Sequence, residues 1–416
     1  MWTRLLDRLL RDLVAQGSLS LALPDGSTRR YGDGTAPDVS MRITDPALLR
    51  RLVLQPDLAL GEGYMDGTIT IEGDDLHGMF TLLMANVARA PHNWRNRLFK
   101  VNALFRRLAQ FNTMARAQAN VAHHYDLSGE LYDLFLDEDR QYSCAYFQTP
   151  GMSLEAAQRA KKHHIAQKLL LKPGMTVLDI GCGWGGLAIT LAQDYGVRVL
   201  GVTLSVEQHK IACDRAARAG LSDRVEFRLA DYRSVTGTFD RVVSVGMFEH
   251  VGIPHYGEYF RNVHDRLAPD GVALIHYIGR IDQPSTTSPW ITKYIFPGGY
   301  CPALSEVMPA IEKQVLYTTD IEVWRLHYAE TLRHWQDRFM ANIDKARALY
   351  DERFCRMWRY YLVASEQTFR HHKQCVFQIQ LVHKQEAVPL TRDYLYPPPP
   401  AAQVEDRRED RARAAE

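Results

Sequence analysis

Cysteine is scarce and scattered in this sequence. Six of its 416 residues, Cys144, Cys182, Cys213, Cys301, Cys355 and Cys375, never form a C-x-x-C pair or a zinc-type spacing. This excludes a disulfide framework and a finger-type metal site. The thiols read as reduced and the chain as cytosolic, since the opening "MWTRLLDRLL" lacks the apolar core and small residues of a signal peptide. Long hydrophobic runs are also missing: none approaches the roughly 18 to 20 residues that cross a bilayer, so any membrane contact is peripheral. Net charge is nearly absent, +1 with 24% charged residues; no nucleic-acid partner is expected. The histidine doublets His123-His124, His163-His164 and His371-His372 lack the i, i+4 spacing of a metal helix and read as surface or capping residues; no metal is expected. One lack is local. Between Asp75 and Asp126 there is no acidic residue, while Arg89, Arg95, Arg97, Lys100, Arg106, Arg107 and Arg116 accumulate.

What is present fits two domains, since the length exceeds a usual single domain and 46% of residues are hydrophobic. The opening reads as a small α+β module: an amphipathic helix, a hairpin in "GSLSLALPDGSTRRYG" turning at Asp25-Gly26, and a helix "DPALLRRLVL" started by Asp45 and Pro46. In the acid-free segment Trp94, Leu98, Val101, Phe105 and Leu108 share one helical face, with Arg95, Lys100, Arg106 and Arg107 around it. Two readings stand open: a linker helix docked on a neighbouring domain, or contact with an anionic lipid surface.

From Thr176 strands and helices alternate: "TVLDI", "VRVLGVT", "RVEFRLA", "FDRVVSVG" and "GVALIHYIG", with helices between. This pattern predicts an α/β fold with a parallel sheet covered on both faces. An aromatic, Pro-rich insertion, "PWITKYIFPGGYCPAL", then two helical stretches and the strand-like "CVFQIQLVH" follow. The division expected is an amino-terminal α+β domain over 1–115 carrying the basic helix as lipid or dimer contact, an α/β domain over 116–390 with the aromatic insertion, and a disordered tail over 391–416.

"VLDIGCGWGGLA" places Asp179 at a strand end, then Gly181, Gly183, Gly185 and Gly186, then a helix start. Strand, glycine turn and helix in this order point to a nucleotide-type cofactor. A dinucleotide site would carry an acid on the ribose about 20 residues on. Here "GVTLSVEQ" has none at the strand end, and Gly-x-Gly-x-Gly-Gly is not Gly-x-Gly-x-x-Gly. Both departures favour S-adenosylmethionine over NAD.

"HHYDLSGELYDLFLD", "YSCAYF", "LKPGMTVLDIGCGWGGLA", "GVTLSVEQ", "SVGMFEHVG", "HYIG", "YIFPGG" and "HYAETL" together resemble the cyclopropane fatty acid synthases and their mycolic acid relatives, over a span from His123 to Val382. The resemblance implies that 116–390 is a class I S-adenosylmethionine-dependent methyltransferase domain, with a Rossmann-like, mainly parallel seven-stranded sheet and a lipid-binding insertion, that converts a cis double bond of a phospholipid acyl chain into a cyclopropane. The first part of the chain is similar to the amino-terminal domain of the bacterial phospholipid enzymes, and relatives suggest a homodimer at the inner membrane face. Carried over by motif, the cofactor touches Tyr142, Ser143, Asp179, Gly181, Gly183, Gly185, Thr203, Leu204, Gln208, Asp231 and Tyr232. Thr203 and Gln208 suit ribose hydroxyls, and Asp231 suits the adenine amine.

An alkene is a weak nucleophile, so it must be held against the sulfonium methyl in a dry slot that tolerates a carbocation. Tyr125, Tyr142, Phe147, Tyr277, Trp290 and Tyr300 are candidate aromatic faces for that cation. Ring closure also needs a base. The resemblance implies a bound bicarbonate held by Cys144, Glu249, His276, Tyr328 and the backbone of Ile278, with Cys144 seating the anion rather than attacking. Several relatives carry a cysteine where "YYLVASEQTF" has Ser365, so no thiol mechanism is available there. The same core also serves methyl-branched or methylene fatty acid formation and small-molecule N-methylation.

Overall fold

The computed structural model describes residues 1–89 and 129–396, and the basic helix read between them lies outside the described residues. The first elements are α1 (Trp2–Leu13), β1 (Ser18–Ala22), β2 (Thr28–Gly32), β3 (Asp38–Ile43), α2 (Pro46–Leu54), α3 (Pro56–Met65), β4 (Ile69–Ile71) and α4 (Leu76–Arg89). The hairpin and the Asp45-Pro46 helix start stand as expected. The Asp45 side chain accepts from the Ala47 amide, with Pro46 supplying a helical φ at N1. The strands form one sheet in the order β2-β1-β3-β4.

After α5 (Gly129–Asp133), α6 (Leu154–Lys168) leads into the alternation β5 (Thr176–Ile180), α7 (Gly186–Tyr195), β6 (Arg198–Thr203), α8 (Val206–Arg218), β7 (Val225–Leu229), β8 (Phe239–Val245), α9 (Tyr256–Arg266) and β9 (Leu267–Arg280). Then come α10 (Pro289–Tyr294), α11 (Leu304–Glu312), β10 (Tyr317–Trp324), α12 (His327–Ala341), α13 (Ile343–Leu349), α14 (Glu352–His371) and β11 (Gln374–Val382). The second sheet has seven strands in the order β10-β11-β9-β8-β5-β6-β7. It is parallel from β9 to β7, and β11 runs antiparallel to both β9 and β10. The strand order reverses direction at β5, and ligands bind such sheets beyond the strands' carboxyl ends at that point.

Strand β10 is absent from the sequence reading. Its Asp320 and Glu322 sit where an amphipathic strand would show apolar residues, because they face the buried ammonium of Lys168 at 3.3 and 2.5 Å. The same pair of elements corrects the reading of His164 as a surface residue. His164 is buried, bonded to Glu322 at 2.7 Å and stacked on Tyr146. Residues 391–396, expected in the tail, instead fold against the sheet: Leu395 is buried and the Tyr394 hydroxyl accepts from Gln380 at 3.1 Å.

The insertion is docked on the amino-terminal module. Trp290 packs on Gly61 and donates its indole N–H to the Met65 sulfur, Ser288 donates to Asp57 at 2.6 Å, and Glu62 accepts from Lys293 and Tyr294 at 2.6 and 2.7 Å. One continuous apolar core runs from Leu6 through Trp290 and Trp358 to Val376.

Candidate active site

A cavity opens beyond the carboxyl ends of β5, β6, β7 and β8. Its lining includes Tyr142, Ser143, Asp179, Gly181, Gly183, Thr203, Leu204, Gln208, Asp231 and Tyr232, so ten of the eleven positions carried over for the cofactor meet in one space. Gly185 is the exception. It heads α7 at φ +80, and a Cβ there would come within 2.5 Å of Phe227, so its work is packing. At Gly183, with φ +54, a Cβ would meet no atom within 4 Å; this turn leaves room for a ligand against the backbone.

The polar groups around the cavity are held in place by one another. Thr203 donates to Gln208 at 3.0 Å, and Ser205 caps α8 by accepting from the Gln208 amide. Both Asp231 oxygens accept from the Arg233 side chain, at 2.8 and 2.7 Å, and Oδ1 also accepts from the Arg233 amide at 2.9 Å; Oδ2 retains a lone pair for a further donor. Asp179 is buried, its Oδ2 has no hydrogen-bond partner, and burial pushes its carboxyl up to about 7. A buried acceptor without a donor is a seat for one supplied by a ligand. S-adenosylmethionine, rich in donors at its amine and ribose, fits that seat and the open face at Gly183.

The expected anion cage lies one layer behind. None of Cys144, Glu249, His276, Ile278 and Tyr328 lines the cofactor cavity. They are nonetheless tied to it by short links: Cys144 follows Ser143, Glu249 precedes the cavity residue His250, and the Gly246 amide donates to the His276 carbonyl at 2.9 Å. Glu249 Oε1 accepts from the Ile278 amide at 2.6 Å, while its buried Oε2 has no partner and burial pushes the carboxyl up to about 7. His276 lies edge-on to Trp324 and its Nδ1 is 3.0 Å from the Gln378 amide nitrogen. Burial, and behind it the Lys161 and Lys168 cations, holds its imidazole far below the usual range, hence neutral. Tyr328 packs against Trp335 and Phe369, one turn before Thr331, whose hydroxyl accepts from the Ala145 amide at 3.0 Å. The Cys144 thiol is fully buried, donates to the Ala145 carbonyl and is pushed up by burial; it is a poor nucleophile.

Of the aromatic faces, Tyr142 lines the cavity, stacked on Trp335 with its hydroxyl 2.9 Å from that of Tyr361. Tyr277 packs into the cluster behind the sheet with Phe248 and Phe377, Trp290 belongs to the module interface, and Tyr300 donates to Glu306. Phe147 stacks on His334; Tyr125 lies outside the described residues. The sequence reading missed Lys161, Met247 and His250, all in the lining. Burial holds His250 down to about 4, so it too is neutral.

Residues 112–379 match the family described as Mycolic acid cyclopropane synthetase. The chain belongs to this family. Residues 5–93 match a second family, a domain of unknown function (DUF7884). The synthetase family member of Escherichia coli K12 named cyclopropane-fatty-acyl-phospholipid synthase is 40% identical over 350 residues, 83% of this chain and 88% of that one. The tuberculostearic acid methyltransferase of Mycobacterium tuberculosis is 37% identical over 391 residues, 91% of each chain. A mycolic acid cyclopropane synthase solved with SAH and CTAB superposes with a TM-score of 0.61 at 34% identity, covering 65% of this chain and 99% of that one. The chain is accordingly an S-adenosylmethionine-dependent methyltransferase of class I fold.

Proposed function

We propose that the enzyme transfers a methylene group from S-adenosylmethionine to the cis double bond of an unsaturated phospholipid acyl chain, forming a cyclopropane. The observation that carries the ring-closing half is Glu249. It is a buried carboxyl with one oxygen fixed by the Ile278 amide and the other without a partner, and the neutral, buried His276 stands two residues before Ile278 on β9. When bound, S-adenosylmethionine supplies the electrophilic methyl and bicarbonate a base for one methyl proton. The chain's residues do the holding. With the Gln378 amide nitrogen donating to Nδ1, the His276 ring proton sits on Nε2, a donor for an anion. Tyr328 offers a hydroxyl donor, and Glu249, titrating near neutrality, can take up a proton and pass it outward. The burial of Cys144, and of Trp324 edge-on to His276, keeps water out, which protects a cation from capture.

Phospholipid as substrate is supported by the Escherichia coli relative and by the amino-terminal module that accompanies this core. A methyl-branched product is the second reading, favoured by the similarity to the tuberculostearic acid methyltransferase over 91% of the chain. Mass spectrometry and proton NMR of phospholipids from cells expressing the chain decide: one added methylene, with olefinic proton signals lost and cyclopropyl proton signals gained, supports the ring. A methylene branch, or the saturated methyl branch that a cellular hydride donor makes from it, supports the second reading, and unchanged lipids with turnover of a soluble amine would sink both. We place the enzyme peripherally at the inner membrane face, as a homodimer. Among the described residues no helix is long and apolar enough to cross a membrane. Flotation with anionic vesicles tests the surface contact, and sedimentation tests the dimer.

A further inference from the structure

Three cations other than histidine line the cofactor cavity, and two of them are already matched to carboxylates. Arg140 makes a fork with Asp133, both bonds 2.6 Å, and Arg233 makes one with Asp231. Lys161 differs. It stands on α6 with 1% of its surface exposed, and its Nζ donates to Gln141 Oε1 at 2.7 Å and Ser143 Oγ at 2.8 Å. Both partners are neutral, and an ammonium has a third hydrogen to give. Among the described residues no carboxylate lies within ion-pair distance of it. Asp139 is engaged by Lys162 and Arg215, and Asp137 accepts from the backbone amides of Asp139 and Gln141.

The surroundings keep this ammonium where it is. Gln158, buried on the same helix, donates to the carbonyls of Gln141 and Ser143 at 3.2 and 3.0 Å, pinning the segment that carries both partners. A buried ammonium with only neutral acceptors is unfavourable until an anion joins it. S-adenosylmethionine has a single anionic group, the carboxylate of its amino-acid tail. Its sulfonium and amine are cations, and the groups suited to its adenosine, Thr203, Gln208, Asp231 and Tyr232, come from the ends of β6 and β7 and the turns after them, whereas Lys161 and its partners come from α6 and the segment before it.

We propose that Lys161 binds the cofactor by seating the carboxylate of the amino-acid tail, its third N–H completing a cradle with Ser143. The inference rests on the S-adenosylmethionine reading. It is tested on the full-length protein by calorimetric titration with S-adenosylhomocysteine and with its decarboxylated analogue, which differs only by the carboxylate. The wild type should prefer S-adenosylhomocysteine by about ten- to a hundredfold, the range of a charge-assisted bond. Lys161→Met should bind both compounds alike, and Lys161→Arg should retain part of the preference. Where the Met variant fails to fold, Lys161→Gln, which keeps a donor for its two neighbours, gives the same comparison. A wild-type preference retained in the neutral variants, or no preference in the wild type, overturns the assignment. Wild-type protein that binds neither compound overturns the cofactor reading itself.

Discussion

Glu249 shows what one side chain must reconcile. Its carboxyl accepts a backbone hydrogen bond that a carboxamide oxygen can also accept, so Glu249→Gln keeps the geometry at Ile278 and loses only the proton chemistry. We expect that variant to lose most of its turnover while its affinity for S-adenosylhomocysteine, measured by calorimetry, stays within a fewfold of wild type. Undiminished turnover would remove Glu249 from the proposed role. The same residue carries a stability signature. Its folded-state pKa is raised by burial from 4.5 to about 7, so its contribution is fully present below pH 4.5 and is lost as pH rises through 7. The wild type should therefore lose roughly 3 kcal/mol relative to Glu249→Gln between pH 4.5 and 8 in the cofactor-free protein, read as a widening Tm difference. Cys144 is the opposite case. Its buried thiol already spends its proton on the Ala145 carbonyl, so Cys144→Ala should retain substantial activity.

At the scale of elements, legibility followed apolar periodicity. Strands β5 to β9 and their helices could be read because each is an apolar run with a polar break, and the cofactor loop because glycines mark its turn. Strand β10 could not, since its inward face carries Asp320 and Glu322, whose partner Lys168 is far away in sequence. Lys161 escaped for the same reason: a lysine in "AQRAKKHHIAQK" looks like a solvated face until the fold covers it. The cage residues were found through motif resemblance alone, since nothing local distinguishes His276 from an ordinary core histidine. The β10 cluster supports a test. Burial works against the charge on Glu322, but His164 and Lys168 overcome it and hold the carboxyl down to about 2, against an ordinary 4.5. The stability it supplies is present above pH 4.5 and lost as pH falls towards 2. Glu322→Gln leaves Lys168 with only Asp320, and should cost about 3 kcal/mol at pH 7 by urea denaturation. The difference from wild type should shrink on acidification; a difference constant down to pH 3 would assign the loss to packing instead.

For the whole molecule the question is whether the amino-terminal module and the methyltransferase core unfold as one. The contacts argue that they do. Trp290 of the insertion packs on Gly61, Met65 and Tyr360, so one aromatic ring touches the module, its own domain and α14. The charged contacts around it are consistent with that: Arg359 pairs with Asp74, Arg353 with Asp66 at 2.7 Å, and the buried Glu366 of α14 with His77 at 2.9 Å. A side chain at Gly61 would strike the Trp290 indole directly, and neither helix can retreat without exposing the shared core. Gly61→Val should therefore destabilise the protein by about 2 kcal/mol or more. Because Trp290 lies between the two parts, the loss should appear as one displaced transition with unchanged steepness, the same by far-ultraviolet circular dichroism and by tryptophan fluorescence. Binding of S-adenosylhomocysteine should disappear over the same urea range. A split into two transitions, with cofactor binding surviving the first, would show instead that the methyltransferase core stands without the module and that the shared apolar core is an interface between two independent folds.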